Sequence, residues 1–325
     1  LTGVKPIVCD DHAGLKAARR AMLRALCRLL HCPAGCTRST PALSLTVSFA
    51  VLLAALLHAS WNALIKGGRD VLLDTSALVV GAGLLALPFV FIVPLPAPAS
   101  WPFIAASVTI HLAYYYLLIA AYRAGDLSLV YPLMRGVAPL LTAVLGVVLL
   151  GELPSSLGWA GMLAISGGVF LLAWRALGHA PSVSREGAAI GFALTNAAVI
   201  ATYTLVDGIG ARRAADPWSY IVWLFVLDMV PFSLFMLATR RQRFIGFLRA
   251  NALRGLAGGA LSAGAYAISV WAMTRAPIAL VASLRETSVL FATLLGAHLL
   301  RERLTPRRWA GVCAVVAGVV ALKAG

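Results

Sequence analysis

At 325 residues the chain has room for one or two soluble domains, but 61% apolar residues against 12% charged ones exclude that class. Apolar stretches near the ~20 residues needed to cross a bilayer recur along it. They are continuous rather than alternating, which makes them helices and not barrel strands. The formal net charge of +15 would point a soluble protein toward nucleic acid. Here the basic residues fall in short loops and an N-terminal arm, so they are assigned to anionic lipid headgroups and to orientation, with no nucleic-acid partner.

The arm, residues 1–43, differs from the rest. It begins with Leu, and Met22 is its first methionine, so a non-standard start or an over-extended reading is expected. Lys16, Arg20, Arg24 and Arg28 recur every four residues, with Leu15, Met22, Leu26 and Leu29 on the other side. That spacing predicts a basic amphipathic helix lying on a membrane surface. Arginines interrupt every apolar run, so the arm does not read as a signal peptide. Cys9, Cys27, Cys32 and Cys36 lie in it, and Cys313 lies near the C-terminus. His31 and Cys32 with Cys36 could open a metal site, but no second ligand pair follows, and no metal or cofactor is expected.

Apolar segments then span 44–65, 71–95, 101–122, 127–150, 157–174, 187–206, 218–238, 252–273, 278–300 and 306–323. Residues 123–126 and 274–277 read as tight turns. A shift of 150 superposes Arg135 on Arg285, Glu152 on Glu302, Trp159 on Trp309, Gly161 on Gly311 and Gly168 on Gly318. A shift of 143 superposes Arg69 on Arg212 and Pro88-Phe89 on Pro231-Phe232. The growing offset places extra residues late in the second copy, where Arg240, Arg241, Gln242 and Arg243 are expected in a long connection. The expected fold is all-α and integral to the membrane, with ten transmembrane helices in two repeats, 44–175 and 187–323. Five helices cross once more than they return, so the second copy must enter from the opposite side. Inverted repeats of this kind are a transporter architecture, with binding at the midplane between the halves.

Charges inside the bilayer are costly and mostly functional. Arg135, Asp228, Arg285 and Glu286 are the candidates. Two guanidiniums at matching positions could face one cavity and hold a carboxylate or phosphate through their planar forks. The alternative is an Arg–Glu or Arg–Asp pair that locks helices. Asp228 is a candidate proton carrier, or a partner for an arginine. Polar positions at helical spacing extend the set: His58, Trp61 and Asn62; His111, Tyr114 and Tyr115; Asn196 and Tyr203; Ser262, Tyr266 and Ser269. They could line a cavity or bond between helices. Of these, His58, Asn62, Tyr115, Asn196 and Tyr266 join the substrate-site set. Glu152 and Glu302 sit at helix ends and read as structural acids near backbone N–H groups. The paired glycines read as packing residues. No G-x-x-x-x-G-K-[ST] pattern is present, which speaks against ATP hydrolysis.

The doubled order of these features resembles the EamA-type carriers of the drug/metabolite transporter superfamily. A short turn joins the third and fourth helices. The fourth ends in Leu149-Leu150-Gly151-Glu152, or Leu299-Leu300-Arg301-Glu302 in the second copy. A glycine-rich helix follows, from Trp159 or Trp309. The likeness spans about residues 45–323. It implies a ten-helix bundle in a cell membrane, carriage of a small polar or amphipathic solute, often export, and cytoplasmic termini. Lys and Arg counted without the arm weigh toward the opposite orientation. Two rival readings are a membrane-embedded transferase acting on a lipid-linked substrate and a channel. The first calls for a clustered His/Asp/Glu set on a substantial loop and the second for a continuous polar stripe, and the sequence offers neither. Oligomeric state is not readable.

The arm is expected to be separable from transport, because its composition is unlike the bundle and nothing matches it before residue 187. A chain lacking residues 2–42, with an initiator Met supplied, should reach the membrane fraction and fold. Failure to insert would assign the arm a role.

Overall fold

The computed structural model describes residues 43–66, 70–125, 127–173, 183–300 and 305–324. The arm up to residue 42, with its cysteines and basic stripe, lies outside the described residues, as do Arg69 and Glu302. All regular structure among the described residues is helical. The helices are α1 (Leu45–Lys66), α2 (Val71–Ala86, continued by a short 3-10 helix, Leu87–Phe91), α3 (Trp101–Ala124), α4 (Leu127–Leu150), α5 (Ser156–Ala173), α6 (Val183–Arg213), α7 (Pro217–Ala250), α8 (Ala252–Met273), α9 (Ile278–Arg285), α10 (Ser288–Leu300) and α11 (Pro306–Ala324). Among the described residues, eight spans are long and apolar enough to cross a membrane, with α9 and α10 counted inside one of them. The shorter α5 and the C-terminal α11 are not among the eight.

Local chemistry sets several of these ends. Asp70 accepts hydrogen bonds from the N–H groups of Leu72 and Leu73 at 3.1 and 3.2 Å, capping α2. Asp216 does the same for Trp218 and Ser219 ahead of α7, where Pro217 fits the first helical position. Gly151 takes φ 67° after α4, a left-handed turn that suits glycine.

Three sequence expectations change. The basic run Arg240–Arg243 is not a loop: α7 continues through it to Ala250, leaving helical geometry at Arg240 alone (φ −142°, ψ 35°). Arg and Gln propagate helices well, so the polar run marks the end of apolar sequence and not the end of the helix. The sixth segment likewise runs past residue 206 to Arg213. The ninth segment is broken. Glu286 and Thr287 donate their N–H groups three residues back, to Ser283 and Leu284, at 3.1 and 3.2 Å, and α10 starts afresh at Ser288. Such a break is tolerated at membrane depth only inside protein, and residues 278–288 are all buried.

α5 and α11 pack backbone to backbone. A Cβ on Gly161 would stand 2.8 Å from the carbonyl oxygen of Gly318, and one on Gly318 2.7 Å from that of Gly161. Gly168 and Gly311 repeat the relation at 2.9 and 3.0 Å. One number rises as the other falls, so the two helices are antiparallel at this crossing. α1 and α8 are antiparallel too, since Arg254 near the start of α8 donates to the Leu64 carbonyl near the end of α1. α3 and α6 match them: Gly125 at the end of α3 meets Ala189, and Phe103 at its start meets Gly210. Further principal contacts join α4 with α6, α1 with α9 and α10, α2 with α7, and α4 with α9.

The reciprocal glycine seam has a direct consequence. Gly318→Ala forces its methyl against Gly161 and Ile165, and overpacking of this kind costs about 1–3 kcal/mol. The melting temperature of the purified protein should fall accordingly. Gly167→Ala, which meets nothing within 4 Å, should leave it unchanged.

Candidate functional site

Two guanidiniums, three carboxylates and two imidazoles from separate helices lie in one buried polar cluster. α4 presents Arg135 and the junction between α9 and α10 presents Glu286, with the Arg135 Nε 2.8 Å from the Glu286 Oε2. The contact is an ion pair whose N–H is not aimed along the hydrogen-bond line. The Arg135 Nη2 adds His58 Nε2 of α1 at 3.1 Å and Ser288 Oγ at 3.3 Å. A guanidinium only donates, so His58 Nε2 accepts there, and the imidazole is neutral with its proton on Nδ1. Tyr131, one turn before Arg135, lies under the guanidinium at 5.9 Å.

Arg285 has a different environment. It is 4% exposed. Its guanidinium carbon lies 5.9 Å from the ring centroid of Tyr266 on α8. Among the described residues its buried Nε has no hydrogen-bond partner, and it makes no ion pair. The two arginines that the repeat superposes are therefore unequal: Arg135 is occupied by protein groups, and Arg285 is not.

Tyr266 is anchored from behind. Its hydroxyl donates to Asp207 of α6, which also accepts from Tyr220 of α7 at 2.8 Å. Asp207 is fully buried. His111 of α3 stands between this group and Asp228 of α7, with Nδ1 3.5 Å from Asp228 Oδ1. Its ring lies 4.7 Å from Tyr203 and 6.0 Å from Tyr266, centroid to centroid. Tyr114 and Tyr115 continue the aromatic wall toward Tyr203 and Phe232. His58 and Trp61 close it from α1, ring centroids 4.9 Å apart.

Of the sequence candidates, the structure brings together His58, Arg135, Tyr266, Arg285 and Glu286, with Asp228 joined through His111. Asp228 pairs with this histidine and not with an arginine. Tyr115 packs its ring on Phe232 at 4.9 Å. Asn62 turns back onto its own helix, donating to the His58 carbonyl at 2.8 Å. Asn196 is fully buried and points at Met134, with Nδ2 3.0 Å from the sulfur and its carbonyl oxygen unpartnered. Neither asparagine hydrogen-bonds to the two arginines.

Two buried acids were missed. Asp207 falls one residue beyond the apolar run that sequence reading ended at 206. Its signal was its register, four residues after Tyr203 and eleven after Asn196, on one helical face. Asp74 lies inside the second segment, is 6% exposed, and faces Arg254 at 3.8 Å.

Glu152 lies apart from this cluster. Its Oε1 is 2.6 Å from Arg212 Nη1, and its Oε2 accepts from the Ile278 N–H at 2.9 Å. It thus caps α9, a helix in the second half of the chain. Arg212 also donates to the carbonyls of Met273 and Ala276, both at 2.8 Å. The acid ties three helix ends together.

Residues 187–323 match the sequence profile of the EamA-like transporter family. No curated protein sequence matches the chain. A solved structure, described only as the crystal structure of a protein, is similar with a TM-score of 0.69 at 16% identity, over 85% of this chain and 96% of its own. At that identity the likeness shows the fold alone. The second half of this helical bundle, residues 187–323, is thus similar to the EamA-like transporter family, and eight of the described spans are long and apolar enough to cross a membrane.

Proposed function

We propose that the chain is a secondary transporter of a small polar or amphipathic metabolite bearing an acidic group, held by Arg285 and moved by alternating access between two inverted five-helix repeats, 44–175 and 187–323. We place it in the cell's inner membrane, with export the expected direction. The observation that carries the reading is the buried guanidinium of Arg285 lying on Tyr266, without an ion pair among the described residues, beside an Arg135 that the protein has already neutralised. An unpaired cation in a low-dielectric interior is unfavourable until an anion joins it. The bidentate fork of arginine suits a carboxylate.

The packing supports the repeats. Exchanging the first five segments for the second five converts the α1–α8 contact into α6–α3, and the α4–α6 contact into α1 with α9 and α10. The α2–α7, α4–α9 and α5–α11 contacts map onto themselves. Inversion also requires the antiparallel crossing at the glycine seam. Single cysteines near Lys66 and Ala250 should react with an impermeant maleimide from one side of the membrane, and cysteines near Leu150 and Met273 from the other. Labelling of all four from one side would end the inverted reading.

Transport itself is tested in proteoliposomes with a panel of organic acids and their neutral amides. The intact chain should move acids and not amides. Arg285→Lys, which keeps the charge but loses the fork, should lower apparent affinity roughly tenfold or more. Arg285→Gln should abolish acid transport while the protein still elutes as a folded species. Normal transport by both variants would remove Arg285 from the site. Asp228, against His111, is the candidate coupling acid. Uptake that responds to an imposed pH gradient, and loses that response in Asp228→Asn, supports it; an unchanged response dismisses it.

A further inference from the structure

We propose that Glu286 sets the charge class of the solute, so that the site accepts one negative charge and rejects two. The inference rests on the reading that Arg285 holds an acidic group. It starts from an asymmetry in the repeat. Shifted by 150, Arg285-Glu286 falls on Arg135-Gly136. The second copy carries an acid where the first carries glycine. Position 136 has no room for one: a Cβ there would stand 2.8 Å from the ring of Phe170. In the second copy the helix stops after Arg285, and the turn at Glu286 carries the carboxylate to Arg135 at 2.8 Å.

A symmetric pair of free arginines would form a dication and favour a dianion such as a dicarboxylate or a phosphate monoester. Glu286 cancels one of the two charges. It does so from a fully buried position, 1% exposed, where water does not screen it. His58 and Ser288 occupy the neighbouring edge of the same guanidinium. A second negative charge on the solute would find no second free cation in this cluster among the described residues. It would meet Glu286, with Asp207 and Asp228 behind Tyr266 and His111. Rejection by an uncompensated charge in a dry site is a strong selector. The class assigned is therefore the monoanion, such as a monocarboxylate.

The test uses an isosteric pair that differs by one charge, succinamate and succinate. Binding to the full chain in lipid nanodiscs is read from thermal stabilisation at matched ionic strength and neutral pH. The intact chain should prefer succinamate. Glu286→Gln should free Arg135 and shift the succinamate-to-succinate preference roughly tenfold or more toward succinate. Glu286→Asp, which keeps the charge, should hold the original preference. If Glu286→Gln does not fold, the double variant Arg135→Gln/Glu286→Gln, which removes the pair without freeing a cation, should also hold it. A folded Glu286→Gln with the original preference, a double variant shifted toward succinate, or an intact chain that prefers succinate overturns the proposal. Binding of both acids with an unchanged ratio removes only the role of Glu286. Binding of neither removes the acidic-solute reading of Arg285 as well.

Discussion

The pairing of Arg135 with Glu286 is the contact on which the buried polar cluster is built. A guanidinium at membrane depth needs a counter-charge and several acceptors, and no single helix supplies them. α4 brings the arginine, α1 brings His58, and the α9–α10 junction brings Glu286 and Ser288. The break in the ninth segment falls at the same residue, Glu286. Consecutive residues on a helix diverge by about 100°, so an intact helix would separate Arg285 and Glu286 on its faces. A turn at Glu286 lets the carboxylate reach Arg135 while Arg285 lies over Tyr266. The loosened backbone is shielded, because the whole stretch is buried among α1, α4 and α8. Removing one member of such a pair leaves the other stranded at a cost of about 3–5 kcal/mol.

Polar chemistry and close backbone packing occupy different parts of the molecule. The α5–α11 crossing contains no ion pair among the described residues and works through carbonyls approached by glycine, with Met162, Ile165, Val169, Val315 and Leu322 fully or nearly buried around it. Lipid gives no hydrophobic drive to join two helices, so small residues and dispersion must hold them. α2 and α8 use the same device at Gly81, Gly255 and Gly259. The clasp of Glu152 on Arg212 and Ile278 serves the helix ends, where four N–H groups and four carbonyls lack intrahelical partners. Each region meets the backbone and charge requirements of lipid with whatever its sequence offers locally.

Much of this was legible in the sequence. Hydropathy and the repeat gave the helices, and matching positions singled out Arg135 and Arg285. What stayed hidden was pairing across the bundle. Nothing along the chain says that Glu286 reaches Arg135 and not its neighbour, because that depends on a turn that no Pro or Gly marks between Ile278 and Leu295. Asp207 was lost for another reason. Apolarity fades before Arg212 and Arg213, while the helix and its buried face continue. Asn62 shows the opposite error: a polar residue at helical spacing whose amide satisfies its own helix. Arg240 shows that charge marks the edge of the membrane and not the edge of a helix.

The pair also limits how such a bundle can move. Arg135 lies in the first half of the chain and Glu286 in the second, so their contact joins the two halves. A motion that drew α4 away from α9 would separate opposite charges in a low-dielectric interior, where their attraction is least screened. Contacts elsewhere yield more easily. The Arg240–Asp70 pair, at 3.3 Å, is about a third exposed on both sides, and water can replace either partner at little cost. The Glu152–Arg212 clasp is also partly exposed. Separating the two halves of the chain at the Arg135–Glu286 pair is thus costlier than parting them at these exposed contacts. Arg285, next to Glu286 in the chain, lies beside that buried pair.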